Sequence, residues 1–299
     1  ADGNLWLANN FSDDPLKVLK SDNTWQTFSL TSSISDKVIQ QLEIDDNDNK
    51  WLVVSGVGVI AFKDNGTLSD ISDDQMKLIN SGDNTGALPT NDVTAIAMDL
   101  NGDLWIGSET GFAILYNANT VFEAASGAYN TQRIKLEFED NVEYLLGTTH
   151  ITDIEIDGGN RKWLATANTG IFLLSPDGTQ IIANYTSENS PLISDVIMDL
   201  EIDQTTGEMY IVTDKGLISY RIDASEGTSN YDNVKVFPNP VLPTYEGMIT
   251  IQGIKYDSDV KVTDAAGNLV YKTTSHGGTA VWNGKTLDGK RASTGVYLF

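Results

Sequence analysis

One motif recurs along the first three-quarters of the chain and limits what it can fold into. It reads Asp2-Gly3-Asn4-Leu5-Trp6-Leu7-Ala8, then Asp45-Asp46-Asn47-Asp48-Asn49-Lys50-Trp51-Leu52-Val53, then Asp99-Leu100-Asn101-Gly102-Asp103-Leu104-Trp105-Ile106-Gly107. A fourth copy is Asp157-Gly158-Gly159-Asn160-Arg161-Lys162-Trp163-Leu164-Ala165, and a degenerate fifth runs from Asp203 through Tyr210 to Ile211. The aromatic residues Trp6, Trp51, Trp105, Trp163 and Tyr210 stand 45, 54, 58 and 47 residues apart, a period that marks ringed or stacked repeats. Within each unit an alternating apolar run such as 93–98 meets an Asp/Asn/Gly turn, followed by a second strand that carries the aromatic residue. A glycine (Gly58, Gly111, Gly170, Gly216) then opens a third strand, and 24–28 and 181–185 supply a fourth. Four antiparallel strands per repeat predict a propeller blade, with the repeated aromatics as packing residues. The rungs of a β-helix would be shorter and less hairpin-like.

Short lead-ins precede the blades at 33–38, 88–93, 148–151 and 192–196, each with a polar residue placed to cap the turn onto the innermost strand. His150 takes the place that Asp36, Asp92 and Asp195 take elsewhere. Lead-in and core together resemble the propeller repeat of Bacteroidetes two-component sensors over about residues 1–222, closely in the third blade and loosely in the fifth. The fifth repeat offers three strands. By the habit of propellers its fourth would come from the opposite terminus, upstream of Ala1. The resemblance implies four nearly complete blades and part of another, from a ring of about seven.

After a polar linker, 224–232, the pattern changes. Val236-Phe237-Pro238-Asn239-Pro240-Val241 cannot be helical and reads as an edge strand, because two prolines remove ladder donors. Alternating segments at 248–251, 260–264, 269–272, 279–282 and 295–299 follow between glycine turns, which predicts a small Ig-like β-sandwich over 233–299. Its landmarks are Pro238-Asn239-Pro240, Asp264 with Gly267, Trp282 with Gly284, Asp288-Gly289, and Gly295 with Tyr297. In this order they resemble the type IX secretion sorting domain. That family usually continues with another strand and a Lys/Arg-bearing end. The chain stops instead after 296–299 and opens without Met inside a repeat, so the expectation is a fragment truncated at both ends.

Charge narrows the function further. Of 19 Lys+Arg and 42 Asp+Glu, 7 and 5 lie in 233–299, so the first 232 residues hold 12 and 37, a net −25. A surface of that sign repels nucleic acid and anionic lipid. No apolar run approaches a membrane span. With no cysteine and two histidines, neither a disulfide framework nor a cysteine-built zinc site is available.

Catalytic patterns are weak. Neither His150 nor His276, which precedes Gly277-Gly278, stands beside a nucleophile in a readable triad. The 45–49 acidic run lacks the glycine and glutamate of a calcium loop, with Lys50 and Gly56 in their places. Gly56-Val57-Gly58 is followed by a turn rather than the helix that dinucleotide binding needs. No cofactor and no metal are expected, and no carboxylate spacing singles out a glycosidase pair.

The reading is a non-enzymatic, exported protein of the outer membrane surface or the extracellular space. A propeller joined to a sorting domain resembles a surface component of the type IX attachment machinery, which implies type IX secretion and attachment proteins as partners, with lipopolysaccharide or another glycan as further candidates. The alternative is a type IX cargo whose propeller binds a glycan or protein. A sensory ectodomain fits the repeats but not the C-terminal part. The insertions 122–143 and 69–86 are the candidate contact surfaces.

Overall fold

The computed structural model describes residues 3–30, 34–138 and 141–299. Asp2 of the first motif, Ser33 of the first lead-in and residues 139–140 of the third-blade insertion lie outside the described residues.

A carboxylate clasp builds the repeated turn. Asp45 Oδ1 accepts the backbone N–H groups of Asn47 and Asn49, while its Oδ2 accepts the Trp51 indole N–H at 2.9 Å. Asp99 does the same for Asn101, Asp103 and Trp105, and Asp157 for Gly159, Arg161 and Trp163. One side chain thereby closes the turn and fixes the rotamer of the aromatic residue six positions on, leaving none of these three buried indole donors unpaired. Asp264 closes a turn in the same way through Ala266 and Asn268.

The fold is all-β, a β-propeller segment and a small β-sandwich, with a short 3₁₀ turn at Ala118–Phe122 and no α-helix among the described residues. Blade one is β1 (Leu5–Ala8), β2 (Leu16–Leu19) and β3 (Trp25–Phe28). Blade two is β4 (Ile39–Ile44), β5 (Lys50–Val54), β6 (Gly58–Lys63) and β7 (Gln75–Ile79). Blade three is β8 (Val93–Met98), β9 (Leu104–Ser108) and β10 (Gly111–Leu115), with Gln132 bridging to Ile114 on the outer edge and an inserted hairpin, β11 (Lys135–Phe138) and β12 (Asn141–Tyr144). Blade four is β13 (Ile151–Ile156), β14 (Lys162–Thr166), β15 (Ile171–Leu174) and β16 (Ile181–Tyr185). Blade five has three strands, β17 (Ile197–Asp203), β18 (Glu208–Thr213) and β19 (Gly216–Arg221). The sandwich pairs β20 (Lys235–Phe237), β21 (Ile249–Gln252) and β24 (Thr279–Trp282) in one sheet. Its other sheet holds β23 (Leu269–Thr274), β22 (Asp259–Asp264) and β25 (Tyr297–Leu298).

By contacts the chain divides into two compact units. The first comprises Ala1–Ile154, Leu164–Ile171 and Tyr185–Asp199, and the second Glu155–Trp163, Phe172–Asn184 and Leu200–Phe299. In the first unit every residue of β5 and β9 is buried. Trp6 stacks on Phe28 and meets Phe62 of the next blade, and Trp51 packs in one cluster with Ile96, Ile106 and Phe122 of blade three. The innermost strands are sheet edges, and side chains of the preceding blade satisfy them. Gln41 exchanges two hydrogen bonds with the Ile96 backbone and Glu43 accepts the Met98 N–H, which closes an edge that would otherwise invite another strand. In the second unit the sandwich core is Ile251, Ile254, Val260 and Ala280, with Ile249, Val262 and Trp282 forming an adjoining cluster.

Candidate functional site

Two places on the molecule combine shape with polar groups. The first is an open cavity of about 380 Å³ in the first unit. Its polar lining is Gln40, Thr94, His150 and Thr152, and its apolar wall is Ala167, Val196, Ile197 and Met198. Gln40 and Thr94 lie where the β4–β5 and β8–β9 registers shift, at irregularities that re-aim side chains. The Thr94 hydroxyl donates to the Ile151 carbonyl (2.5 Å) and Thr152 to that of Ile197 (2.8 Å), so the same residues that tie one innermost strand to the next also line the cavity. His150, expected in a turn, lines it too, and its carbonyl accepts the Ala167 N–H.

The second is a polar seam in the second unit, which the sequence did not reveal. Arg161 bonds Asp157 through Nε (2.8 Å) and Asp223 through a terminal nitrogen (2.7 Å), and Asp223 in turn meets His276 Nδ1 at 3.3 Å. Burial alone would raise the Asp223 carboxyl, but the His276 hydrogen bond and the Arg161 charge overcome it and hold the group well below the usual carboxylate range. Glycines floor the seam. A Cβ on Gly158 would lie 1.8 Å from the Ser225 carbonyl oxygen, and one on Gly278 would lie 2.1 Å from that of Glu226. Ser225, at the start of the stretch read as a linker, is 2% exposed, and its carbonyl accepts the Gly278 N–H. Its hydroxyl shares a hydrogen bond with Thr279 at 2.7 Å, and Gln252 donates to the Thr205 carbonyl at 3.1 Å. The turn of blade four and the segment after β19 are thus joined to the 275–279 loop of the sandwich, and the turn of blade five to β21.

The landmark residues of the C-terminal part fall in two groups. Asp264 pairs across the sheet with Tyr297, whose ring meets Trp282 edge-on at 5.1 Å, and the Trp282 indole donates to the Lys285 carbonyl. Gly267, Gly284 and Gly289 all adopt positive φ. Asp288 and Gly289 occupy an exposed turn closed between Thr286 and Lys290, Gly295 precedes β25, and Pro238, Asn239 and Pro240 follow β20.

Among the blade aromatics, Trp6, Trp51, Trp105 and Trp163 are buried, whereas Tyr210 is 45% exposed. Tyr210 keeps the hairpin register of Trp51 and Trp105, three residues before the partner of the third-strand glycine. Because the turn holds one more residue, it is Met209, 1% exposed, that stands six positions after Asp203.

Sequence reasoning missed two lysines. Lys50 is fully buried, with Nζ on the Asp48 carbonyl, 3.0 Å from the Asp64 carboxylate and 4.1 Å above the Trp6 ring. Lys162, also buried, bonds the carbonyls of Asn160 and Pro176. Both precede the clasped tryptophan and tie the motif turn to the turn after the third strand. Their signal was a lysine where other copies carry leucine. Of the two insertions, 122–143 is anchored by Arg133, which stacks on Tyr144 and donates to the carbonyls of Thr110 and Gly147. The 69–86 stretch contains β7 and an exposed loop. Asp45 and Asn49 are engaged with each other and the backbone, and no group of three metal-ligating His, Asp or Glu side chains occurs among the described residues.

No family model matches the chain. The chain is similar to PorZ along nearly its whole length. PorZ is an essential bacterial surface component of the type-IX secretion system of Porphyromonas gingivalis, and the likeness is 33% identity over 99% of this chain with a TM-score of 0.69. The chain spans 41% of the PorZ structure. Among curated proteins, histidine kinase P4 of Formosa agariphila is 28% identical over 100 residues, which are 33% of this chain and 7% of the kinase. Virginiamycin B lyase of Staphylococcus aureus aligns with 91% of this chain and 80% of the lyase, at 10% identity and a TM-score of 0.46.

Proposed function

We propose that this chain is a non-enzymatic, exported scaffold or adaptor of a type IX secretion apparatus, acting at the outer membrane surface in the attachment of cargo. The observation that carries the reading is the likeness to PorZ, which runs through the blades and the C-terminal sandwich alike. On this reading 1–223 is a propeller segment, 224–232 a connection, and 233–299 a sorting-type sandwich whose landmarks are those from Pro238 to Tyr297.

The seam favours a resident component over a passing cargo. A sandwich serving only as a removable address needs no polar contact with its neighbour, yet Asp223, held by Arg161, meets His276 of the sandwich at 3.3 Å, and glycines allow backbone to approach backbone. The test is the intact mass of the mature protein recovered from the outer membrane of its native host, together with surface labelling of cargo in a deletion strain. A protein that keeps 233–299, and cargo that is lost from the surface without it, are expected. Loss of the sandwich on export would make the chain a cargo and discard the reading.

A further inference from the structure

A buried lysine, a buried aspartate and a third carboxyl meet at the open end of the β5–β6 hairpin in blade two. Lys50 pairs with Phe62 across the hairpin, and Asp64 lies two residues beyond Phe62, so all three share a face with the ring cluster of Trp6, Phe28 and Phe62. Lys63 pairs with Gln75 across β6–β7, which makes Asp64 and Asp74 the next residues outward on those two strands. Lys50 Nζ stands 3.0 Å from Asp64 Oδ1 and 4.1 Å above the Trp6 ring. It also meets Asp48 at 3.0 Å, but the Asp48 side chain is 58% exposed and keeps its water, whereas that of Asp64 is 4% exposed. Blade four seats its equivalent lysine on a carbonyl, since Lys162 donates to Pro176 fourteen positions on, where blade two has Asp64. A carbonyl is enough to hold the lysine. The carboxylate adds a group with which a lysine can react.

Two charges taken out of water lose hydration that their attraction repays only in part, and a proton passing from ammonium to carboxylate relieves both. A lysine made neutral in an apolar pocket is a nucleophile, and fixed proximity supplies what the same pair lacks in solution. Asp74 Oδ1 is buried without a partner. Burial first, and then the charges of Asp64, Asp73 and Asp70, raise the Asp74 carboxyl above its ordinary range against the pull of Lys50, so it keeps a proton that it can lend. We propose that Lys50 and Asp64 join in an intramolecular amide bond, with Asp74 as the proton carrier. Nζ attacks Asp64 Cγ, a C–N bond forms and one C–O bond breaks. The released oxygen leaves as water with two protons from Nζ, passed on by Asp74. Ammonium and carboxylate give amide and water, so the step needs no oxidant, reductant or cofactor. The product staples the open end of the hairpin, where Lys50 begins β5 and Asp64 follows β6.

The experiment follows the intact mass of the full chain during cell-free synthesis, in samples unfolded in denaturant at intervals and then digested. A mass one water below that of the sequence is expected, with a branched fragment in which Lys50 is linked to Asp64. A succinimide at an Asp-Gly step also lacks one water, but hydroxylamine opens it and leaves the amide intact. Asp74→Asn keeps the size of the side chain and removes the proton, so the variant should form the bond at least about a hundredfold more slowly, while its circular dichroism matches that of the parent chain. A parent chain that stays at its full sequence mass overturns the proposal, as does a water loss that maps elsewhere or is reversed by hydroxylamine. A bond that forms as fast in the Asp74→Asn chain overturns the role given to Asp74.

Discussion

Glu43 carries a tension that its neighbours do not. Its Oε1 accepts the Met98 N–H, while Oε2 is buried without a partner. Burial lifts its pKa from 4.5 to about 7 against the pull of the Met98 hydrogen bond, and the charges of Asp45 and Asp153 add to the rise. The folded state therefore holds this proton across a range in which the unfolded chain releases it. Stability contributed by the protonated form is present below about pH 4.5 and falls until about pH 7, by about 3 kcal/mol in all. Glu43→Gln keeps the acceptor and removes the charge, so it should raise the melting temperature by several degrees at pH 8 and change it little at pH 4.5. Equal shifts at both pH values would show that burial of the charge is not the cause. The sequence told of Glu43 only that it lies on a strand. The tryptophans and motif aspartates were legible as a repeat, but the bond between them was not, because periodicity reports which face a residue takes and not which partner it finds. Lys50 was hidden for the same reason, since a charged residue in a strand pattern reads as exposed until a carboxylate and a ring are seen to enclose it.

Strands were the most legible level. Alternation and Asp-Gly or Asn-Gly turns mark most of the blade and sandwich strands, and the glycine that opens each third strand was placed correctly before its reason was visible. Glycines at positive φ are not all held by the same thing. Gly170 has φ of 75°, and a Cβ there would sit 2.0 Å from the Tyr185 carbonyl oxygen at the end of β16. Gly102 has φ of 80° but nothing within 4 Å. Alanine at 102 meets only the left-handed backbone strain, about 1 kcal/mol, whereas alanine at 170 must also push the fourth strand aside, for a total of about 3 kcal/mol or more. Chemical denaturation of the two variants should separate them by that margin, and comparable losses would mean that backbone conformation alone fixes both positions. The hairpin β11–β12 escaped the reading because it falls where the other repeats have no strand. Its alternation in 135–138 is only four residues long.

At the scale of the second unit, two parts were legible and their junction was not. Gly158-Gly159 and Gly277-Gly278 each read as ordinary turns, and only the folded chain shows that Gly158, Gly277 and Gly278 are kept free of side chains by the backbone at Ser225 and Glu226. The exposed stretch 228–235 is the part of the connection that a protease can reach. Cutting it leaves in place the Arg161–Asp223–His276 relay, the Ser225 hydrogen bonds to Gly278 and Thr279, and the Gln252 bond to Thr205, all of which lie outside the cut. A chain with a protease recognition sequence inserted between Ser229 and Asn230 should therefore elute after cleavage as one species containing both fragments. Gly278→Ala adds a Cβ 2.1 Å from the Glu226 carbonyl oxygen, where neither backbone can yield without breaking the Ser225 bond. In that background the cleaved fragments should separate. If the unmodified seam also releases its sandwich once the connection is cut, the contacts hold only by virtue of the covalent link, and the argument that the sandwich is a resident part of the molecule loses its physical support.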